Sequence, residues 1–171
     1  MDADALRALQ APLKSKYKDD AAAAVLTLRA TGAIDESKIA CKVETGRAIA
    51  EAGLHPLTGG TGAELCSGDM LLEALVACAG VTLKAVSTAL GIDLKSGRVT
   101  AEGDLDFRGT LGVAKDAPVG FAAIRLRFDL QTGASEEQIA QLIKLTERYC
   151  VVFQTLKQSP VSTVSVTTTP A

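Results

Sequence analysis

The sequence predicts a single α+β domain within its 171 residues. Three observations predict it. Residues 70–90, MLLEALVACAGVTLKAVSTAL, read as one long helix with apolar side chains pointing in nearly every direction. Two later segments, GRVTAEGDLDFRG and GFAAIRLRFDL, alternate apolar and polar residues as half-buried antiparallel strands do. No repeat, linker or low-complexity run separates these segments, so they belong to one core.

Taken in order, the chain opens on MDADALRALQAPL, acidic at once and without the basic start and apolar run of a secretory signal. Leu6, Leu9, Leu13 and Tyr17 fall three or four apart and predict a short amphipathic helix, which Pro12 is expected to end or kink. Residues 1–21 read as a helical extension ahead of one domain over 22–171. AAVLTLRATG and KIACKVETGRA read as strands joined through AIDES. In the second, Ile39, Cys41 and Val43 alternate with polar residues, which turns Cys41 to the apolar face as a packing residue.

EAGLHPLTGGTGAELCSGD reads as a long loop. Its TGGTG lacks the Gly-Lys-Ser/Thr ending that lets a lysine reach phosphates, so it is not a P-loop. His55, the one histidine, lies in this loop, where solvated histidines outnumber site-lining ones. Ser67 or Asp69 is expected to cap a helix beginning near residue 70, and Gly91 to stop it. Leu71, Leu72, Leu75, Val76, Val81, Leu83 and Val86 then cover every direction, so the helix must be covered on all sides. Its longest uncharged run, Ala74 to Leu83, is ten residues. A membrane span needs roughly 20, so the expected cover is protein.

In the next pair of strands Val99, Ala101, Gly103, Leu105 and Phe107 share one face, as do Ile124, Leu126, Phe128 and Leu130. TLGVAKDAPV is the connecting loop. SEEQ at 135–138 has the form of a capping box. Behind it Ile139, Leu142, Ile143, Tyr149, Cys150 and Phe153 give the apolar stripe of one helix. PVSTVSVTTT reads as a closing strand. The predicted order is α-β-β-α-β-β-α-β.

Composition narrows the function. The chain is 47% hydrophobic with a net charge of −2 and no Trp, which gives an aliphatic core and no basic surface for nucleic acid. Four cysteines, at 41, 66, 78 and 150, are too few and too scattered for a disulfide scaffold, so a reducing cytoplasm is the expected setting. No two of them have zinc-ligand spacing, and no metal or other cofactor is expected. Cys66 and Cys78 are separated mostly by helix rising about 1.5 Å per residue, which puts them beyond the roughly 7 Å reach of a disulfide. Cys78 and Cys150 lie on two apolar helices that can pack face to face. Composition alone leaves them open to packing or chemistry.

CSGDMLLEALVACAGVTLKAVSTALGI resembles the central-helix signature of the OsmC family, which includes the organic hydroperoxide resistance proteins. ERYCVVFQTL resembles the second cysteine motif of that family, with valine after Cys150 where the family usually has proline. GDLDFRGTLG followed by IRLRFDL is similar to its second strand pair, so the resemblance spans roughly residues 22–168. It implies an intertwined homodimer in which antiparallel sheets wrap a pair of long central helices. It implies a peroxidatic Cys78 that forms a sulfenic acid with organic or hydrogen peroxide, and a resolving Cys150 that closes a Cys78–Cys150 disulfide. An external dithiol, in the family often a lipoyl group, would reduce that disulfide. Family peroxidases also hold the thiol beside an arginine–carboxylate pair. The matching candidates are Arg47 and Asp69, the latter acting across a dimer or serving only as a helix cap. The alternative implied by the resemblance is a protein without peroxidase activity that binds a small apolar ligand in the dimer groove.

Overall fold

The structure, a computed structural model, describes residues 2–19, 31–34, 40–44, 49–112 and 114–169. Helix α1 (Ala3–Asp19) does not end at Pro12, which stands inside it. Pro12 is exposed, so water can take the carbonyl that the missing N–H leaves open. Leu6 and Gln10 lie along the central helix. The side chains of Leu9, Leu13 and Tyr17 are outside the described ones.

Strands β1 (Thr31–Ile34) and β2 (Ala40–Glu44) pair antiparallel, with Thr31 opposite Glu44 and Ile34 opposite Cys41. The predicted antiparallel pairing is present, although Ala33 and Ile34, expected in the AIDES loop, belong to β1. Residues 20–30, where most of its first strand was expected, and the side chain of Cys41 lie outside the described part. The expected long loop is in part ordered structure. It opens with strand β3 (Ile49–Gly53), antiparallel to β2. It passes a 3-10 turn at Pro56–Thr58 and ends in β4 (Leu65–Cys66), parallel to β3. IAEAG is poor in β-branched residues, and the ladder to β2 holds it.

Helix α2 (Ser67–Leu90) begins three residues earlier than predicted. Cys66 occupies its N-cap position with extended backbone and makes no side-chain cap bond, so neither Ser67 nor Asp69 is the cap. Asp69 sits inside the first turn, where its negative charge suits the positive end of the helix. Gly91 ends the helix at φ +69°. Its N–H bonds Thr88 O, and the N–H of the buried Ile92 bonds Ser87 O at 2.9 Å, a Schellman closure.

Strands β5 (Leu94–Leu105) and β6 (Phe121–Thr132) form a separate two-stranded antiparallel sheet. Val99, Ala101 and Gly103 stand opposite Phe128, Leu126 and Ile124, as the alternation requires. The register slips between Asp104 and Leu105. Phe107 accordingly leaves the strand and opens the short helix α3 (Phe107–Thr110), capped by the Asp106 carboxylate. Phe121 lies so close over Gly103 that a Cβ there would be 2.4 Å from its ring. On the outer face Arg125 pairs with Glu102 and Asp104, and Arg127 with Asp129.

Helix α4 (Glu136–Tyr149) carries the predicted capping box: Gln138 N–H bonds Ser135 Oγ at 3.3 Å and Ser135 N–H bonds Gln138 Oε1 at 2.9 Å. The single helix expected through Phe153 is broken. Cys150, at φ −74° and ψ 107°, closes α4 and opens helix α5 (Val151–Lys157). The expected closing strand is absent. Residues 159–169 have no regular structure, and Val161, Val164 and Val166 are exposed. A strand forms only where an edge accepts it, and among the described residues of this chain none pairs with the segment.

The core lies between α2, the inner face of β5–β6, and α4 with α5. Leu75, Ala79 and Cys150 form one buried cluster, flanked by Val99, Leu126 and Phe153. Leu83, Ile92 and Leu142 form the next, and Phe128 touches both. The buried residues of α2 are Leu75, Ala79, Leu83 and Ser87, a single stripe spaced by four. The chain therefore covers one face of α2 and leaves Val81 73% exposed on another. By length and composition α2 also qualifies as a membrane span; in this fold it is the core helix.

Candidate thiol site

Cys78 lies halfway along α2, one residue from the buried stripe, and its side chain is half-buried against the Leu75–Ala79–Cys150 cluster. Cys150 reaches the same place from the break between α4 and α5 and is only 1% exposed. Both are free thiols, as is Cys66. The structure thus brings together the two cysteines that lie on apolar helices able to pack face to face, and Cys150 continues the buried Leu142–Thr146 stripe of α4.

In an unbroken helix the N–H groups of Val151 and Val152 would bond carbonyls four residues back. The break frees them. The main-chain N–H groups of Val152 and Val151, the Cys150 thiol and the Thr82 hydroxyl, one turn further along α2, lie where they favour a charged Cys78 sulfur. Burial pushes the Cys78 thiol up, and these four groups outweigh it, so Cys78 ionises below its ordinary value. Cys150 moves the other way. Burial pushes it up and the N–H groups of Phe153 and Val152 pull it back, but its thiol's interaction with Cys78 and the Cys78 charge keep it raised. One thiol is accessible and easily ionised; its neighbour is sealed and holds its proton. That asymmetry suits an attacking thiolate with a resolving thiol behind it.

The resemblance pointed to an arginine–carboxylate pair beside Cys78. Sequence reasoning missed the main-chain N–H groups of α5, which have no side-chain signature. The paired β-branched residues Val151 and Val152 were the available sign of a weak point in the helix. Thr82, one turn from Cys78, was missed as well.

The two other candidates do not join this site within the described chain. Arg47 lies outside the described residues. Asp69 is exposed, nine residues ahead of Cys78, about 13 Å along the helix axis and roughly half a turn round it. It lines a shallow groove with Leu72, Glu73 and Val76.

A separate cavity of about 420 Å³ opens at the first turns of α2, walled by Leu71, Leu105, Phe107 and Phe121. His55 and Cys66 border it. The His55 ring stacks on Phe107 with centroids 4.9 Å apart, and its Nδ1 accepts the Leu57 N–H at 3.1 Å. His55 is therefore a half-buried, stacked residue rather than a solvated one. Among the described residues no cluster of His, Cys, Asp or Glu could hold a metal ion.

The family model for OsmC-like proteins matches residues 60–165. Comparison of the sequence with curated proteins gives no match. Among solved structures, an OsmC-like protein from Mycoplasma pneumoniae is similar over 78% of this chain and 89% of its own, at TM-score 0.65 and 17% identity. An organic hydroperoxide resistance protein from Elizabethkingia anophelis matches over 79% of this chain and 91% of its own, at TM-score 0.61 and 18% identity. Another, from Legionella pneumophila, also described as a predicted redox protein, matches over 78% and 91%, at TM-score 0.60 and 15% identity. At such identities the likeness is one of fold.

Proposed function

The chain belongs to the OsmC-like protein family, and from that premise we propose that it is a thiol-dependent peroxidase acting on organic or hydrogen peroxides. The observation that carries this reading is the Cys78–Cys150 pair, with an accessible thiol shifted toward thiolate and a buried thiol bonded to it. Two relatives in fold are named organic hydroperoxide resistance proteins, which agrees with the chemistry.

The Cys78 thiolate attacks one peroxide oxygen, the O–O bond breaks, and the other oxygen leaves as an alkoxide or hydroxide that takes up a proton. Cys78 is then a sulfenic acid. The Cys150 sulfur displaces its hydroxyl, giving a Cys78–Cys150 disulfide and water. An external dithiol, of which a lipoyl group is one, reduces the disulfide by two exchanges and leaves as its own disulfide. No resident cofactor is needed, and a reducing cytoplasm suits the cycle. The active form is a homodimer in this reading, since the uncovered face of α2 and the two separate sheets each ask for a partner. Arg47 and Asp69 remain its candidate substrate-binding pair, with Asp69 acting toward a partner copy.

The test is mass spectrometry after a stoichiometric dose of an alkyl hydroperoxide. Wild-type protein should yield the Cys78–Cys150 disulfide with Cys41 and Cys66 untouched. Cys78→Ser should consume no peroxide, and Cys150→Ser should accumulate a dimedone-reactive Cys78. A Cys78 that stays a free thiol in the native protein would end the proposal.

A further inference from the structure

The break at Cys150 leaves a donor and an acceptor problem, and one residue answers the second. In a continuous helix the N–H of Val151 would bond the carbonyl of Glu147. At the break that bond is not made, which leaves the N–H free to favour the Cys78 thiolate. The Glu147 carbonyl does not go unpaired: the side-chain amide of Gln154 donates to it through Nε2 at 2.7 Å, reaching back seven residues across the break. The main-chain N–H of Gln154 bonds Cys150 O at 2.9 Å, and Cys150 N–H bonds Thr146 O at 2.9 Å. Gln154 thus closes the first turn of α5 with its backbone and ties α5 to the last turn of α4 with its side chain.

We propose that Gln154 is a positioning residue of the thiol pair: by occupying the Glu147 carbonyl it keeps α4 from running on through Val151, and so keeps the first turn of α5, with Cys150 and Val152, packed against Cys78. The competing arrangement is the ordinary helix that the sequence pattern itself suggests, with the apolar stripe continuing to Phe153. A helix extended by one turn would recapture the N–H of Val151 for Glu147. The Gln154 amide competes for the same carbonyl, and a donor of similar strength already in place removes the incentive to extend. The role of Gln154 as a catalytic support rests on the reading of Cys78 as the nucleophile; its effect on Cys78 does not.

The test uses the reduced full-length protein without peroxide. Gln154→Met keeps the length of the side chain and removes the N–H donor. Glu147, Arg148, Tyr149 and Lys157 on the two helices are exposed and unaltered, as are the charged residues on the outer face of β5 and β6. Thiolate absorbance at 240 nm should titrate at higher pH in the variant. Iodoacetamide should label Cys78 about three- to tenfold more slowly at pH 7, because a smaller fraction is thiolate. A Gln154 with only a structural role would lower the unfolding temperature and leave that titration where it was, and that result would overturn the proposal. Should the variant fail to fold, proton NMR of the unaltered protein decides. A Gln154 side-chain amide proton protected from exchange supports the proposal, and one that exchanges as freely as those of exposed glutamines overturns it. If the titration shifts while the wild-type protein consumes no peroxide, the peroxidase reading fails and the positioning role stands.

Discussion

Val152, in the first turn of α5, packs in one cluster with Cys78, halfway along α2, and its main-chain N–H favours the Cys78 thiolate. This N–H carries no net charge, cannot titrate and needs no second chain to supply it. The ease with which Cys78 ionises therefore depends on backbone geometry at Cys150 as well as on side chains.

The two thiols should separate in pH. Cys78 is held below the ordinary thiol value and Cys150 above it, so alkylation of the native protein at neutral pH should fall on Cys78 first. The pH midpoint for Cys78 should lie below that of a denatured control, and that for Cys150 above it. The stability consequences have opposite signs. Between the folded and unfolded values of Cys78 the unfolded chain holds more protons, so stability rises with pH there and the gain is complete above the unfolded value. The contribution of Cys150 is fully present below its unfolded value and is lost as pH passes its raised folded value. Denaturant midpoints of wild-type and Cys78→Ser protein should therefore diverge as pH rises toward the unfolded thiol value. Parallel curves would contradict the assignment.

Val151→Pro should be tolerated. Position 151 is the first residue of α5, where proline is favoured, and Cys150 already has the extended backbone that a following proline requires. Proline there restricts the unfolded chain, which stabilises by about 0.4–1 kcal/mol where the native geometry fits. It also deletes one of the two main-chain N–H groups that favour the Cys78 thiolate. The expected result is an unfolding temperature no lower than wild type with a thiolate titration moved to higher pH. Loss of the fold would show that the Val151 N–H holds the break open.

Leu75 and Val81 should respond differently to change although both are apolar residues of α2. Leu75 is 0% exposed within one chain, so Leu75→Ala should lower stability by roughly 2–5 kcal/mol. Val81 is 73% exposed within one chain, so Val81→Asp should leave the fold intact. If a second copy covers that face, Val81→Asp should halve the mass seen by light scattering, because an unpaired buried charge is too costly to keep. A wild-type mass of 17.7 kDa at micromolar concentration would remove the dimer from the proposal.

What could be read in advance followed from residues whose side chains decide the structure. The alternation of β5 and β6 was legible because one face packs on α2 and the other carries Glu102, Arg125 and Arg127. The capping box of Ser135 and Gln138 and the stop at Gly91 were legible because each is a residue type chosen for one backbone task. The Cys78–Cys150 pairing was legible from two apolar helices. The break at Cys150 was not, since the apolar stripe runs through it without interruption. Val161, Val164 and Val166 alternate as a strand does, but alternation does not supply the neighbouring edge.

The N–H groups of Val151 and Val152 have an electrochemical consequence. They bond strongly to a negatively charged sulfur and weakly to the neutral sulfurs of a disulfide. They therefore lower the free energy of the dithiol form and do little for the oxidised one, which makes the couple more oxidising than an unsupported pair of cysteines. For a two-electron couple each tenfold in that preference is about 30 mV. In the cycle proposed above, the backbone turn that favours the Cys78 thiolate would also poise the Cys78–Cys150 disulfide to accept electrons from a thiol donor.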